Sequence, residues 1–157
     1  MRTININAID LLKQDHEKVK KLLEDISNTT ERAFKKRAEL LQKIALELQA
    51  HTTIEEEIFY PAFREAGERD ELKMYHEAKE EHRAVEALVL PDLLATDPGT
   101  VEFSGRVKVL KELLEHHIEE EEEEMFTQAR ELLSEEELTT LGKAMKEKKM
   151  EVMKAAA

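Results

Sequence analysis

The chain has 157 residues, with 24 Lys and Arg against 36 Asp and Glu, a formal net charge of −12. It contains no Cys, which excludes disulfides, thiolate metal sites, iron–sulfur clusters and cysteine nucleophiles, and its negative charge argues against a nucleic-acid or anionic-membrane partner. With 4 Gly and 3 Pro but abundant Glu, Lys, Leu and Ala, the composition favours helix over a turn-rich β protein. No apolar run approaches the roughly 20 residues needed to span a bilayer. The opening MRTININAIDLL lacks the apolar stretch of a signal peptide. The expectation is one cytoplasmic domain covering residues 1–157.

The first helix is expected from about Ala8 to Asn28, with Ile9, Leu12, Val19, Leu22, Leu23 and Ile26 at helical spacing and Asn5 or Asn7 as its cap. The second runs from near Thr30 to about Gly67 and turns Ala33, Phe34, Leu40, Leu41, Ile44, Leu48, Ile54, Ile58 and Phe59 to the core. Pro61 interrupts that pattern and is predicted to kink or end the helix. Gly67 is a plausible terminator.

The third helix is expected from near Asp70 to about Leu90, its face marked by Leu72, Tyr75, Val85, Leu88 and Val89. Pro91 and the segment Asp97 to Thr100 close it and a short extension. The fourth runs from about Val101 to Leu133 with Val107, Leu110, Leu113, Leu114, Ile118, Met125, Phe126 and Leu132 on its stripe. Ser134 and Glu137 form a capping box for a shorter fifth helix over about 135–154, carrying Leu138, Leu141, Met145 and Val152, with a frayed tail at 155–157. The fold class is all-α: an antiparallel up-down four-helix bundle over about 8–133, with an additional short C-terminal helix.

Each bundle helix places one His on its apolar stripe. His16 lies between Leu12 and Val19, His51 continues Ile44 and Leu48, His82 sits between Ala78 and Val85, and His117 continues Leu110 and Leu114. Glu55 and Glu121 follow His51 and His117 by four residues, one turn along the same face. A weak internal echo joins HTTIEEEIF (51–59) to HIEEEEEEMF (117–126). A lone HxxxE is a poor signal in a Glu-rich chain, and most of the run Glu119 to Glu124 must be solvated. Four inward imidazoles with two inward carboxylates are costly to bury unless something compensates them together. A metal pair does so, with imidazoles terminal and carboxylates bridging. Nitrogen and oxygen donors without sulfur suit iron or manganese, and zinc fits as well. His116 points about 100° from His117 and is read as a boundary or outer residue, as is His76.

Four pieces of the sequence carry a family resemblance: DHEKVKKLL (Asp15 to Leu23), HTTIEEEIFYP (His51 to Pro61), EEHRAVEALV (Glu80 to Val89) and LLEHHIEEEEEEMF (Leu113 to Phe126). Together they resemble a single-domain bacterial hemerythrin-like protein of the HHE cation-binding type. The resemblance implies a non-haem di-iron centre, bridged by oxygen species and two carboxylates. His16 and His51 would serve one iron, His82 and His117 the other, and Glu55 and Glu121 would bridge. Oxygen-carrying hemerythrins place HxxxH on the third helix, whereas here the position four before His82 is Ala78. They also place Asp five residues after the last His, whereas here Glu121 and Glu122 stand four and five after His117. One iron then lacks an imidazole, and its position is open, filled by water, or filled by a side chain such as Tyr75 or Glu86.

Open coordination favours reaction over storage. The implied ligand is dioxygen, hydrogen peroxide or nitric oxide, in oxidative or nitrosative stress or oxygen handling, with peroxide- or NO-consuming turnover one form of it. Ile54, Ile58, Leu114 and Ile118 are expected along the access route. An iron or oxygen sensor, or an iron donor for iron–sulfur cluster repair, is the alternative.

Overall fold

Asn7 caps the first helix, α1 (Ala8–Ser27), because its side-chain oxygen accepts the Asp10 N–H at 2.9 Å and satisfies a donor the helix leaves free. Asn5, the other expected cap, and Ala157 lie outside residues 6–156, which the computed structural model describes. A 3₁₀ turn, Glu31–Ala33, leads into α2 (Phe34–Ile54). This helix continues through a π turn, Glu55–Phe59, into α3 (Tyr60–Ala66). The third rod repeats that plan as α4 (Arg69–Ala84), a π turn at Val85–Val89 and α5 (Leu90–Leu94). The fourth comprises α6 (Val101–Glu120), a π turn at Glu121–Met125 and α7 (Phe126–Leu132). Four rods alternate in direction as an antiparallel bundle, and no strand occurs among the described residues.

Pro61 neither ends nor breaks its rod. It follows the last residue of the π turn by two positions, and Pro91 does the same in the third rod. In the turns, Tyr60 N–H reaches Glu55 O and Leu90 N–H reaches Val85 O, one residue further back than in an α-helix. The wider register absorbs the missing proline donor. The fourth rod has Thr127 at the matching place, and its hydroxyl donates to Glu123 O at 2.9 Å. These turns also shift the helical phase. Leu88 lies inside one and is exposed, and Phe34, Leu72 and Leu113, also expected in the core, are exposed as well. Phe34 and Leu72 sit in first turns, and Leu113 is one residue off the buried Leu114 stripe.

The core falls into two apolar blocks. One contains Ile9, Leu12, Ile54, Phe59, Phe63 and Phe126, and the other Val19, Leu23, Ile44, Leu93, Phe103 and Leu110. Arg37, itself buried, closes the second block at the loop end. It donates to the carbonyls of Thr29, Pro98 and Thr100 and to the hydroxyls of Thr29 and Ser104, and its guanidinium lies 5.1 Å from the Phe103 ring centroid.

The last helix, α8 (Glu135–Ala156), starts at the expected capping box: Ser134 N–H reaches Glu137 and Glu137 N–H reaches the Ser134 hydroxyl, both at 3.1 Å. At 22 residues it matches the bundle helices in length rather than forming a short addendum. It packs against α1 and α2 and buries Leu138 and Met145 in the first block. Gly142 sets how close it comes: a Cβ there would lie 2.4 Å from the Ile6 carbonyl oxygen and 2.8 Å from Ala8 N. Gly142→Val should therefore cost about 1–3 kcal/mol by forced displacement, read as a lowered denaturant midpoint with the helical signal of the bundle retained.

Candidate metal centre

His16 on α1, His51 on α2, His82 on α4 and His117 on α6 turn their Nε2 atoms into one layer between the two apolar blocks. Glu55 and Glu121, the first residues of two π turns, lie among them, and all six are buried. The layer contains two overlapping groups: His16, His51, Glu55 and Glu121, and Glu55, His82, His117 and Glu121. In each, one ligand-capable atom per residue lies within 4.8 Å of the others. Both carboxylates belong to both groups. Glu55 Oε1 is 3.1 Å from His51 Nε2 and 3.2 Å from His82 Nε2. Glu121 sets Oε1 3.0 Å from His16 Nε2 and Oε2 3.4 Å from His117 Nε2.

Each imidazole is anchored from behind by a further carboxylate. His16 Nδ1 meets Glu122 at 2.7 Å, His51 Nδ1 meets Asp15 at 2.9 Å, His82 Nδ1 meets Glu56 at 3.4 Å and His117 Nδ1 meets Glu81 at 2.8 Å. Such a partner keeps a proton on Nδ1 and leaves the Nε2 lone pair facing inward, as metal-ligating histidines require. The Nε2 atoms of His82 and His117 are then only 3.2 Å apart, a repulsive contact of two lone pairs unless a cation or proton lies between. Both Glu55 oxygens and His51 Nε2 are buried with no hydrogen-bond partner. An uncompensated buried carboxylate costs several kcal/mol, and a cation shared with the imidazoles removes that cost. The donor set fits such ions: nitrogen and oxygen, no sulfur.

These outer carboxylates escaped the sequence reading, although a local signal exists. Asp15 and Glu81 directly precede His16 and His82 but bond the histidines of α2 and α6. Glu56 and Glu122 directly follow Glu55 and Glu121 but bond the histidines of α4 and α1. The pattern relates the first half of the bundle to the second.

A family model, the hemerythrin HHE cation-binding domain, matches residues 7–129. The chain belongs to the hemerythrin HHE cation-binding family. The crystal structure of an HHE cation-binding domain-containing protein, the Rv2633c homologue from Mycobacterium kansasii, superposes with a TM-score of 0.84 at 30% identity, covering 96% of this chain and 90% of that one. A protein named DNA nickase from Nostoc sp. strain PCC 7120 is 31% identical over 134 residues, 85% of this chain. The chain spans 36% of that longer relative. No helix among the described residues is long and apolar enough to cross a membrane.

In this HHE chain the phenol that reaches the cluster is that of Tyr60, not Tyr75. The Tyr60 hydroxyl donates to Glu121 Oε2 and lies 3.3 Å from His82 Nε2 and 3.5 Å from His117 Nε2. Tyr75 packs edge-on against the Tyr60 ring, with Arg64 over its own face. Glu86 lies outside both groups, exposed beside Thr52. His116 is exposed and pairs with Glu120 at 3.1 Å, and His76 is exposed against Tyr75. Tyr60 is five residues after Glu55, which places it about 140° around an unbroken α-helix. The π turn inserts one residue and returns it to the face of Glu55. The Pro61 that follows was the available clue.

Burial alone would lower these imidazolium pKa values. The Glu55 charge and the Asp15 hydrogen bond override it and hold His51 up at about 10. Contacts with Glu55 and Glu56 hold His82 up at about 9. Glu121 is pulled the other way, well below its ordinary value, because His117 and His16 outweigh burial. In metal-free protein, protons therefore stand where cations would. Raised histidines stabilise fully below their ordinary 6.5 and lose that contribution as pH climbs to about 10. The depressed Glu121 and Asp15 stabilise above the ordinary carboxylate range and lose their contribution in acid. Urea titrations of metal-free protein should accordingly show maximal stability between about pH 5 and 6.5, and metal loading should abolish the alkaline decline.

Proposed function

We propose that this HHE protein holds two iron ions and uses them to bind or react with dioxygen, hydrogen peroxide or nitric oxide. The observation that carries this reading is the pair of His/Glu groups sharing Glu55 and Glu121. His16 and His51 would hold one ion, His82 and His117 the other, and both carboxylates would serve the pair. Bound there, the ions would supply Lewis acidity and one-electron redox chemistry.

The chain's own residues decide what reaches them. A cavity of about 30 Å³ lies against His16, His51, His82 and His117. Its remaining wall is largely apolar, from Val19, Leu48, Val85, Leu114 and Ile118, with Thr52, Glu81 and Glu86 as its other polar side chains. That space takes a diatomic molecule or a peroxide and little more. Leu114 and Ile118 line it as expected, whereas Ile54 and Ile58 pack in the block beneath α8. Tyr60 holds a proton at the cluster, its pKa pushed well above the ordinary value by burial and by the charges of Glu121 and Glu55. The phenol therefore stays protonated and hydrogen-bonds Glu121 beside the His82 and His117 Nε2 atoms, where it can also donate to a bound ligand. The nicking in the Nostoc relative's name is not carried over, because a net charge of −12 repels a polyphosphate.

Metal analysis of protein expressed with ample iron should give two irons per chain, with near-ultraviolet bands in air that change on adding peroxide or nitric oxide. Absence of iron would remove the reading. His117→Ala should lose metal at least 10-fold more readily, while His116→Ala should leave the stoichiometry intact. Equal losses would sink the ligand assignment. Tyr60→Phe should keep both irons and slow peroxide consumption by about 10²-fold or more if Tyr60 delivers the proton, measured as initial rates at matched iron content.

A further inference from the structure

The four carboxylates behind the histidines are not equivalent. The side chains of Glu56, Glu81 and Glu122 are 31%, 24% and 26% exposed, so water screens each of them. Asp15, behind His51, is 5% exposed. One of its oxygens accepts the His51 Nδ1–H, and the other is paired with Lys149 Nζ on α8. Lys149 Nζ also stands 3.6 Å from Glu47, a second buried carboxylate, whose other oxygen meets Lys18 at 2.5 Å. Lys149 lies beyond residues 7–129, the part matched by the family model.

We propose that Lys149 sets the electron donation of His51 through Asp15, so that docking of α8 tunes the His16/His51 half of the centre. This rests on the metal-pair reading above. An unsolvated carboxylate behind an imidazole pushes charge onto it more strongly than a screened one, because the local dielectric is low. Without a cation, Asp15 would make His51 the strongest donor of the four. Lys149 withdraws that charge. The His16/His51 position is thereby held at a higher reduction potential than an unscreened Asp15 would allow. Lys149 is a positioning residue: it touches Asp15 and Glu47 and none of the six inward side chains.

The test compares Lys149→Met, Lys149→Arg and Lys148→Met in the full chain. Lys148 is the neighbour on α8, 3.9 Å from Glu57 and without contact to Asp15, so its variant removes the same net charge elsewhere. In protein holding two irons, Lys149→Met should change the oxidised-to-reduced ratio at a fixed potential about tenfold toward oxidised, equivalent to about 59 mV for one electron. Lys149→Arg should restore the wild-type midpoint and Lys148→Met should not move it. Should Lys149→Met fail to fold, Lys149→Gln takes its place. A second readout uses metal-free protein: the His51 imidazole nitrogen resonances should move in Lys149→Met and stay in Lys148→Met. Equal shifts in the Lys149 and Lys148 variants, or none in either, would overturn the proposal. If wild-type protein holds no iron, the metal-pair reading fails by itself, and the metal-free resonances still decide whether Lys149 acts on His51.

Discussion

The structure is organised around Glu55 and Glu121. Two carboxylates sit in one slice of the core, fully enclosed, and Glu55 has no hydrogen bond at either oxygen. Such a group is tolerated only with compensating positive charge close by. The imidazoles around them supply it, by sharing protons in metal-free protein and through shared cations on the metal-centre reading. The imidazoles in turn need negative charge behind them, which explains the ring of Asp15, Glu56, Glu81 and Glu122. Charge therefore alternates outward: carboxylates, imidazoles, carboxylates and, at Asp15, Lys149. The apolar blocks on either side serve as walls. They exclude the water that would otherwise solvate the layer, and they fix the four rods at the spacing the layer needs.

The π turns make this layer possible. A rod of uninterrupted α-helix offers positions i, i+4 and i+7 to one face. His51 and Glu55 use the first two. The turn that begins at Glu55 then brings Tyr60 to the His82 ring, stacked at 5.4 Å between centroids. In the fourth rod the turn beginning at Glu121 brings Phe126 to the His16 ring, stacked at 5.8 Å. The same device in two rods backs one histidine of each group with an aromatic ring. The bundle is thus pseudo-symmetric in its helices, its ligands, its outer carboxylates and its aromatic supports.

Much of this was legible because it follows helical periodicity. The rods, their ends at Ser134 and Asn7, and the six inward polar residues all obey the α-helical repeat. What was missed departs from it. Tyr60 was hidden because residue i+5 lies on the wrong face of a regular helix, and Leu88 looked buried because its π turn does not show in an apolar pattern. Pro61 and Pro91 marked two of the turns but read as breaks, since a proline announces a lost hydrogen bond and not how the backbone accommodates it. Asp15 and Glu81 were hidden for another reason. Each acts on a histidine of a different rod, and pairing between rods is a property of packing that one helix's sequence does not contain. The bounds of α8 were legible, but its parity with the bundle helices and its role were not, because Lys149 meets Asp15 across 134 positions of sequence.

Where the pseudo-symmetry fails, the chemistry becomes directional. The ring behind His82 carries a hydroxyl aimed at Glu121, and the ring behind His16 is Phe126, which carries none. The carboxylate behind His51 is buried and neutralised by a lysine, whereas that behind His117 is partly exposed to water. One half of the layer therefore holds a phenol proton, and the other has a fixed cation just outside it. Under the proposed reaction with peroxide or nitric oxide, electrons and protons must arrive together, and a polar axis across the centre would separate those tasks. The four-rod frame is pseudo-symmetric, and Tyr60 and Lys149 are where its two halves differ.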